Sequence, residues 1–386
     1  MVEDKRILVT RSSMPPFEEY CAEIAPLWES HWLTNRGVKH KELEKSLQKY
    51  LGADYVTLFV NGHSALECVL ETMELGKDGR DEVITTPFTF ASTTHAIVRK
   101  GLKPVFADIK PDDYTLDPAK IEPLITERTC AILPVHVYGN LCDVDAIKAI
   151  ADRHDLKVIY DAAHAFGVRK GGVPAAQFGD ASMFSFHATK VFNTIEGGAI
   201  CHSDQALCDR LAQWRNFGII DEDHVEYPGG NAKLNEFAAA MGICNLRHVD
   251  EEIAKRKVAT ERYWELLDGV PGLQLYRPAD DITPNYAYMP VVFDPEIFGA
   301  TRDEVSAALA REGISVRRYF YPLTSEYECY GGEEAAAMTP IAHRTSEQVL
   351  TLPMFADIAE GDVERICEII VNTGHWASSG CPKDSE

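Results

Sequence analysis

The sequence predicts an α/β protein with two parts: a large domain on a mixed, mostly parallel seven-stranded sheet, then a smaller C-terminal α+β domain. Three observations carry this. Short β-rich apolar runs alternate with helix-length amphipathic patterns through residues 1–250. One long helical stretch then breaks the rhythm. Past it, strand-like and helical runs are mixed with Pro and Gly breaks. Alternation of the first kind implies βαβ units and helices on both sheet faces. A chain of 386 residues is also too long for a single small core.

The strand candidates, in order, are VTLFV, EVITT, KPVFADI, AILPV, KVIYD, SMFSF and GAICH. Helical periods separate several of them: SALECVLETMEL, ASTTHAIVRKG, DPAKIEPLI and DVDAIKAIADRHD. After QALCDRLAQWRNFG, the stretch beginning EFAAAMG reads as one helix ending at Gly269 and Pro271. YAYMPVVF, GISVRRYF and two helical runs then make the small domain, residues 251–376. The tail 377–386 reads as disordered.

Composition excludes several classes. There are 38 Lys and Arg against 60 Asp and Glu, a net charge of −22, which disfavours nucleic acid and anionic membrane surfaces as partners. The longest apolar runs are strand-sized, and the N-terminus MVEDKRILVT has no signal-peptide core, so a cytoplasmic location is expected. The ten cysteines form no C-x-x-C pair and read as reduced thiols. The thirteen histidines show no metal-ligand spacing, so no metal is expected.

In a parallel sheet, functional groups collect at strand C-terminal ends and helix N-termini. Lys190 follows SMFSF and precedes the turn Glu196-Gly197-Gly198; Asp161 ends KVIYD. A lysine and an aspartate on adjacent strand ends suit pyridoxal 5′-phosphate. The amine bonds the aldehyde, and the carboxylate keeps the ring nitrogen protonated. A free lysine, with a pKa near ~10.4, needs burial or cationic company to become a nucleophile. His164, three residues past Asp161, stands near the ring hydroxyl or is a structural histidine. Phe90 in TPFTFAST stacks on the ring or belongs to the core.

The strand–turn–helix VTLFV-NGHS-ALECVLETMEL offers the amides of Gly62, His63 and Ser64 to an anion at a helix N-terminus. Ser64-x-x-Glu67 is also a capping box that needs no ligand. Ser185 is a second phosphate candidate. Lys233, between Asn231 and Asn235 in GGNAKLNE, either completes the cradle from a neighbouring subunit or lies in a solvated loop.

Taken together, the segments HWLTNRG, NGHSAL, TPFTFAST, PVHVYGN, DAAHAFG, SFHATK with EGG, GGNAK and RRYFYPL resemble the DegT/DnrJ/EryC1/StrS sugar aminotransferases. These belong to fold type I of the pyridoxal phosphate enzymes. The resemblance implies that Lys190 holds the cofactor covalently and that Asp161 meets the ring nitrogen, with His164 at the ring hydroxyl and Phe90 on the ring face. It places Gly62, His63, Ser64 and Ser185 at the phosphate. It also implies a homodimer with shared active sites, the GGNAK loop reaching across. The sequence departs from the family pattern at His63 (commonly Thr), at Lys233 (Arg or Asn in many relatives) and at Thr324 (often His).

Within the family, WLTNRG and RRYFYPLTSEYECY look most like enzymes that aminate C4 of dTDP-4-keto-6-deoxyglucose, with L-glutamate as donor. The pyridoxamine form would carry the amino group between substrates. Amination at C3, or of a UDP- or GDP-linked 4-keto sugar, is the alternative; a non-catalytic sensor is a remoter one. Related sugar 3-dehydratases replace the lysine with histidine, and Lys190 argues against that chemistry. Arg36, Lys233, Arg317 and Arg318 are candidates for the nucleotide diphosphate. Tyr319, Tyr321 and His187 are candidates for the sugar or base, and His136 is a further histidine near a strand end.

Overall fold

Each of the seven apolar runs contains a strand of the main sheet: β1 (Tyr55–Phe59), β2 (Glu82–Thr85), β3 (Lys103–Phe106), β4 (Thr129–Leu133), β5 (Lys157–Asp161), β6 (Ala181–Ser185) and β7 (Gly198–His202). The computed structural model describes residues 6–330, 332 and 337–375; the tail 377–386 lies outside them. The strand order is β1-β7-β6-β5-β4-β2-β3. β6, β5, β4, β2 and β3 pair in parallel. β7 runs antiparallel to both β1 and β6. Parallel neighbours need a crossover, usually a helix, whereas antiparallel ones do not. The connection 186–197 between β6 and β7 contains no helix, and it carries Lys190.

Strand alternation sorts the side chains into two cores. Leu58, Phe184, Ala199 and Cys201 face one layer with Leu43, Leu47 and Phe192. Their neighbours Phe59, Met183 and Ile200 face the other, with Leu66, Val69 and Ile97. The helix Glu236–Leu267 joins two cores end to end. Ala238, Ala239 and Ile243 pack under the main sheet. Ala259, Tyr263 and Leu267 pack in the second core, against a three-stranded antiparallel sheet of β8 (Leu273–Leu275), β9 (Met289–Phe293) and β10 (Val349–Leu352). Residue 250 therefore falls inside a continuous helix. Ile7 also packs in the second core and bridges Ile314, although the sequence reading grouped the N-terminal segment with the large domain.

GISVRRYF forms no continuous strand. It makes single bridges, Ile314 to Ile7 and Arg317 to Thr351, and Pro322 soon after has no N–H to extend a ladder. Among the described residues, no helix is long and apolar enough to cross a membrane, and no group of three or more His, Cys, Asp or Glu side chains could hold a metal. The described cysteines are free thiols.

The start of β7 presses on the turn before the helix Gly62–Thr72. A Cβ on Gly198 would lie 2.6 Å from the backbone carbon of Asn61 and 2.6 Å from the nitrogen of Gly62. Backbone on both sides leaves little room for relief. Gly198→Ala should lower unfolding free energy by about 1–3 kcal/mol, read as a fall in the urea midpoint at constant m. An unchanged midpoint would contradict this close approach.

Candidate active site

Asp161 ends β5, where its backbone N–H donates to Pro134 O and its carbonyl accepts from His136 N–H. The side chain is buried, 5% exposed. Oδ2 accepts from the Thr93 hydroxyl at 2.7 Å, and Oδ1 accepts from the Ala163 amide at 3.1 Å. Thr89 in turn bonds Thr93 at 2.9 Å. Burial raises the Asp161 pKa, while the two hydrogen bonds and the nearby Lys190 oppose that rise. Asp161 is thus an oriented carboxylate with few partners of its own, suited to a cationic group.

Lys190 stands on the β6–β7 connection, which is folded back on itself. Phe186 N–H donates to Gly197 O, Thr194 N–H to Phe186 O and Lys190 N–H to His187 O. The residue keeps partial access to solvent, but its amine is buried beside Tyr288, within electrostatic reach of Asp161 and Tyr319. Desolvation pushes its pKa down to about 8, with Asp161 and Tyr319 pulling the other way. Nζ lies 3.4 Å from the Tyr288 hydroxyl, and no carboxylate forms a salt bridge with it among the described pairs. A lysine in this setting reaches the neutral, nucleophilic state near physiological pH.

His164 is buried, and burial drives its pKa well below the usual range, so it is neutral. Its Nδ1 accepts from the Tyr138 amide at 3.0 Å, its Nε2 lies 3.4 Å from the Tyr288 hydroxyl, and its ring lies parallel to Phe320. Ala163, His164, Thr189, Lys190, Ala287 and Tyr288 line one cleft.

The helix Gly62–Thr72 begins against the end of β6 and the start of β7. Its cap is Asn61, whose Oδ1 accepts from the Ser64 amide at 2.7 Å. That corrects both readings of Ser64: its amide is already used, and it is not the N-cap. Glu67 pairs instead with Arg99 and His63. The first-turn amides of Gly62 and His63 have no intrahelical acceptor. A Cβ on Gly62 would approach Ser185 Cβ to 3.0 Å, so the end of β6 lies against the helix start. The His63 ring turns aside to Ser92, with Nδ1 2.9 Å from its hydroxyl. Phe90 immediately precedes the helix Ala91–Arg99 that carries Thr93, and its ring is 60% exposed.

The remaining candidates are dispersed. Arg36 forks onto Glu44 at 2.8 and 3.1 Å. Lys233 donates to Asn216 Oδ1 at 2.6 Å and lies 4.9 Å above the Phe217 ring. Within one chain, both are engaged away from Lys190. His187 is exposed and bonds Thr189. Arg317 and Arg318 are exposed, and Arg318 pairs with Asp303. Tyr319 is the one substrate candidate at the cleft: its ring stacks on Phe320 and meets Tyr288 edge-on. Tyr321 is exposed beneath Arg302. His136 is fully buried and stacked on Tyr160, as a core histidine. Thr324 is buried against Thr94, 2.8 Å between hydroxyls.

Sequence reasoning missed Asn61, Thr93 and Tyr288. The first was legible as an N-cap residue type before a helix. Thr93 sits one turn past Phe90 with only a helical period to place it. Tyr288 comes from the second part of the chain and had no local signal.

Two outcomes follow. In cofactor-free protein, the rate of Lys190 acetylation by trace acetic anhydride should rise with pH to a plateau with a midpoint near 8, as the amine deprotonates; a midpoint near ~10.4 would mean the amine is solvated. Thr93→Val removes a hydrogen bond to a buried carboxylate and should cost about 1–3 kcal/mol, measured by urea unfolding at neutral pH.

The DegT/DnrJ/EryC1/StrS aminotransferase family model matches residues 17–371. A dTDP-4-amino-4,6-dideoxy-D-glucose transaminase of Shigella dysenteriae is 40% identical over 367 residues, covering 95% of this chain and 99% of that protein. Its Escherichia coli counterpart is 40% identical over 373 residues, covering 96% and 99%. The crystal structure of DesI in the presence of its TDP-sugar product superposes with a TM-score of 0.90 at 34% identity, covering 96% of this chain and 93% of DesI. With Lys190 and Asp161 gathered at adjoining strand ends of the fold these proteins share, the chain belongs to the DegT/DnrJ/EryC1/StrS aminotransferase family.

Proposed function

We propose that this aminotransferase moves the amino group of L-glutamate onto C4 of dTDP-4-keto-6-deoxyglucose, giving dTDP-4-amino-4,6-dideoxyglucose, with pyridoxal 5′-phosphate as cofactor. The observation that carries the reading is a lysine amine, with no salt bridge among the described pairs, close enough to a buried, oriented carboxylate at the end of β5 for each to shift the other's pKa. The residues present fit the group. Lys190 would hold its aldehyde carbon, Asp161 its ring nitrogen and His164 its ring hydroxyl, and Phe90 would cover the ring. The amides of Gly62 and His63, with the hydroxyls of Ser64 and Ser185, would hold the phosphate. Gly62 has no Cβ to crowd Ser185 there.

When bound, the cofactor supplies an electron sink for the bonds at the substrate carbon. The chain's own part is proton handling and positioning. Lys190, when not covalently engaged, would take the α-proton at Nζ and deliver it within the same cleft; for the keto sugar it would run the transfer in reverse. Asp161, as a carboxylate, would favour the protonated form of the ring nitrogen. One amine serving two half-reactions implies ping-pong kinetics.

The 40% identity over nearly the whole chain to transaminases named for dTDP-4-amino-4,6-dideoxy-D-glucose supports the choice of sugar. Relatives named for GDP-perosamine and UDP-4-amino-4-deoxy-L-arabinose lie at 32%. Arg317 and Arg318 are the exposed cations offered to the diphosphate, with Arg36 and Lys233. A homodimer fits the surface: Phe17, Trp28, Trp32 and Leu33 near the N-terminus, and Phe217 and Ile220 near the GGNAK loop, are large apolar residues left exposed in one chain. In a dimer, Lys233 would act at the partner's site. We place the enzyme in the cytoplasm.

Purified protein with glutamate and a panel of 3-keto and 4-keto nucleotide sugars should yield the 4-amino dTDP sugar, identified by mass and NMR. Turnover of only UDP- or GDP-linked sugars would replace the substrate. Borohydride reduction and peptide mapping should label Lys190, and Lys190→Ala should abolish turnover; a label elsewhere would overturn the assignment.

A further inference from the structure

The buried contacts of His164 beside Lys190 have a fixed polarity. The Tyr138 amide can only donate, and it points at His164 Nδ1 from 3.0 Å. Nδ1 is therefore the bare nitrogen, and in neutral imidazole the proton must sit on Nε2. Nε2–H then faces the Tyr288 oxygen at 3.4 Å. With that oxygen accepting from histidine, the tyrosine's own hydrogen is left for the next acceptor. The Lys190 amine, 3.4 Å away, donates to the same oxygen when charged and supplies that acceptor when neutral. Tyr288 is itself held: its ring packs at 4.7 Å from His164, 5.8 Å from Tyr138 and 6.2 Å from Tyr319, and it directly precedes β9.

We propose that Tyr288 is a positioning residue for the Lys190 amine, its hydroxyl being the last link of a one-way hydrogen-bond chain running from the Tyr138 amide through His164. The chain aims the nitrogen lone pair and holds the side chain in the cleft when it is not covalently engaged. This is when the amine must carry a proton between carbons, so the inference rests on the role of Lys190 proposed above. The chain joins the end of β5 to the start of β9, so the reacting amine is located from both parts of the molecule.

Tyr288→Phe keeps the ring and removes the hydroxyl. In the half-reaction with glutamate, the rate should fall by roughly 10²-fold with KM changed less than about twofold. The isotope effect with α-deuterated glutamate should rise as proton transfer becomes limiting; a merely structural role would not raise it. A rate within twofold of wild type and an unchanged isotope effect would overturn the proposal. A second measurement needs neither variant nor cofactor. ¹⁵N NMR of histidine-labelled apoprotein, with His164 assigned by loss of its signals in His164→Gln, should show a bare Nδ1 and a protonated Nε2. The opposite tautomer would break the chain. If borohydride fails to label Lys190 in the wild type, the proposed function fails, and the tautomer alone decides whether the chain exists. If Lys190 is labelled and Tyr288→Phe is silent, only the positioning role is lost.

Discussion

Withdrawing an amine and a neighbouring carboxylate from water is the constraint on which this site depends. An ion taken into a protein interior loses several kcal/mol of hydration unless partners replace it. The two groups meet this differently. Asp161 receives a hydroxyl and an amide, enough to fix its plane while leaving capacity for another cation. Lys190 receives no carboxylate salt bridge among the described pairs, and burial moves it toward neutrality. A tight ion pair between the two would have cancelled both properties. Their mutual attraction is present, yet in each case burial outweighs it.

The sheet makes this arrangement possible. Five strands run in parallel, and their C-terminal ends form one rim, as expected where open α/β sheets hold ligands. A further parallel crossover after β6 would have taken the chain to the far edge through a helix. Instead β7 returns antiparallel, and the connection stays over the rim with Lys190 on it. β7 can pass so near the helix Gly62–Thr72 only because Gly198 has no side chain there. The same packing brings Ser185 against Gly62, so the amine and the turn before the helix Gly62–Thr72 are placed by one set of strand contacts.

The strands were legible because each is an apolar run of β-formers at the length a buried strand requires, and Asp161 and Lys190 because one closes such a run and the other shortly follows one. GISVRRYF looked equally strand-like but pairs only at single positions, since local composition does not say whether a neighbouring edge is free. Ser64-x-x-Glu67 fits a capping box in sequence, yet Asn61 three residues earlier is the cap and takes the Ser64 amide. Arg36 and Lys233 are cations whose partners, Glu44 and Asn216, lie elsewhere in the sequence. Tyr288 is the sharpest case: it reaches Lys190 from 98 positions away, and only tertiary packing reports that.

The helix Glu236–Leu267 runs for 32 residues, roughly 48 Å, and neither core is complete without it. It acts as a shared axle: losing order at one end strips apolar cover from the other. Heat or denaturant should therefore dismantle the molecule in one concerted event rather than lobe by lobe, even though the chain is long enough for two independently melting units.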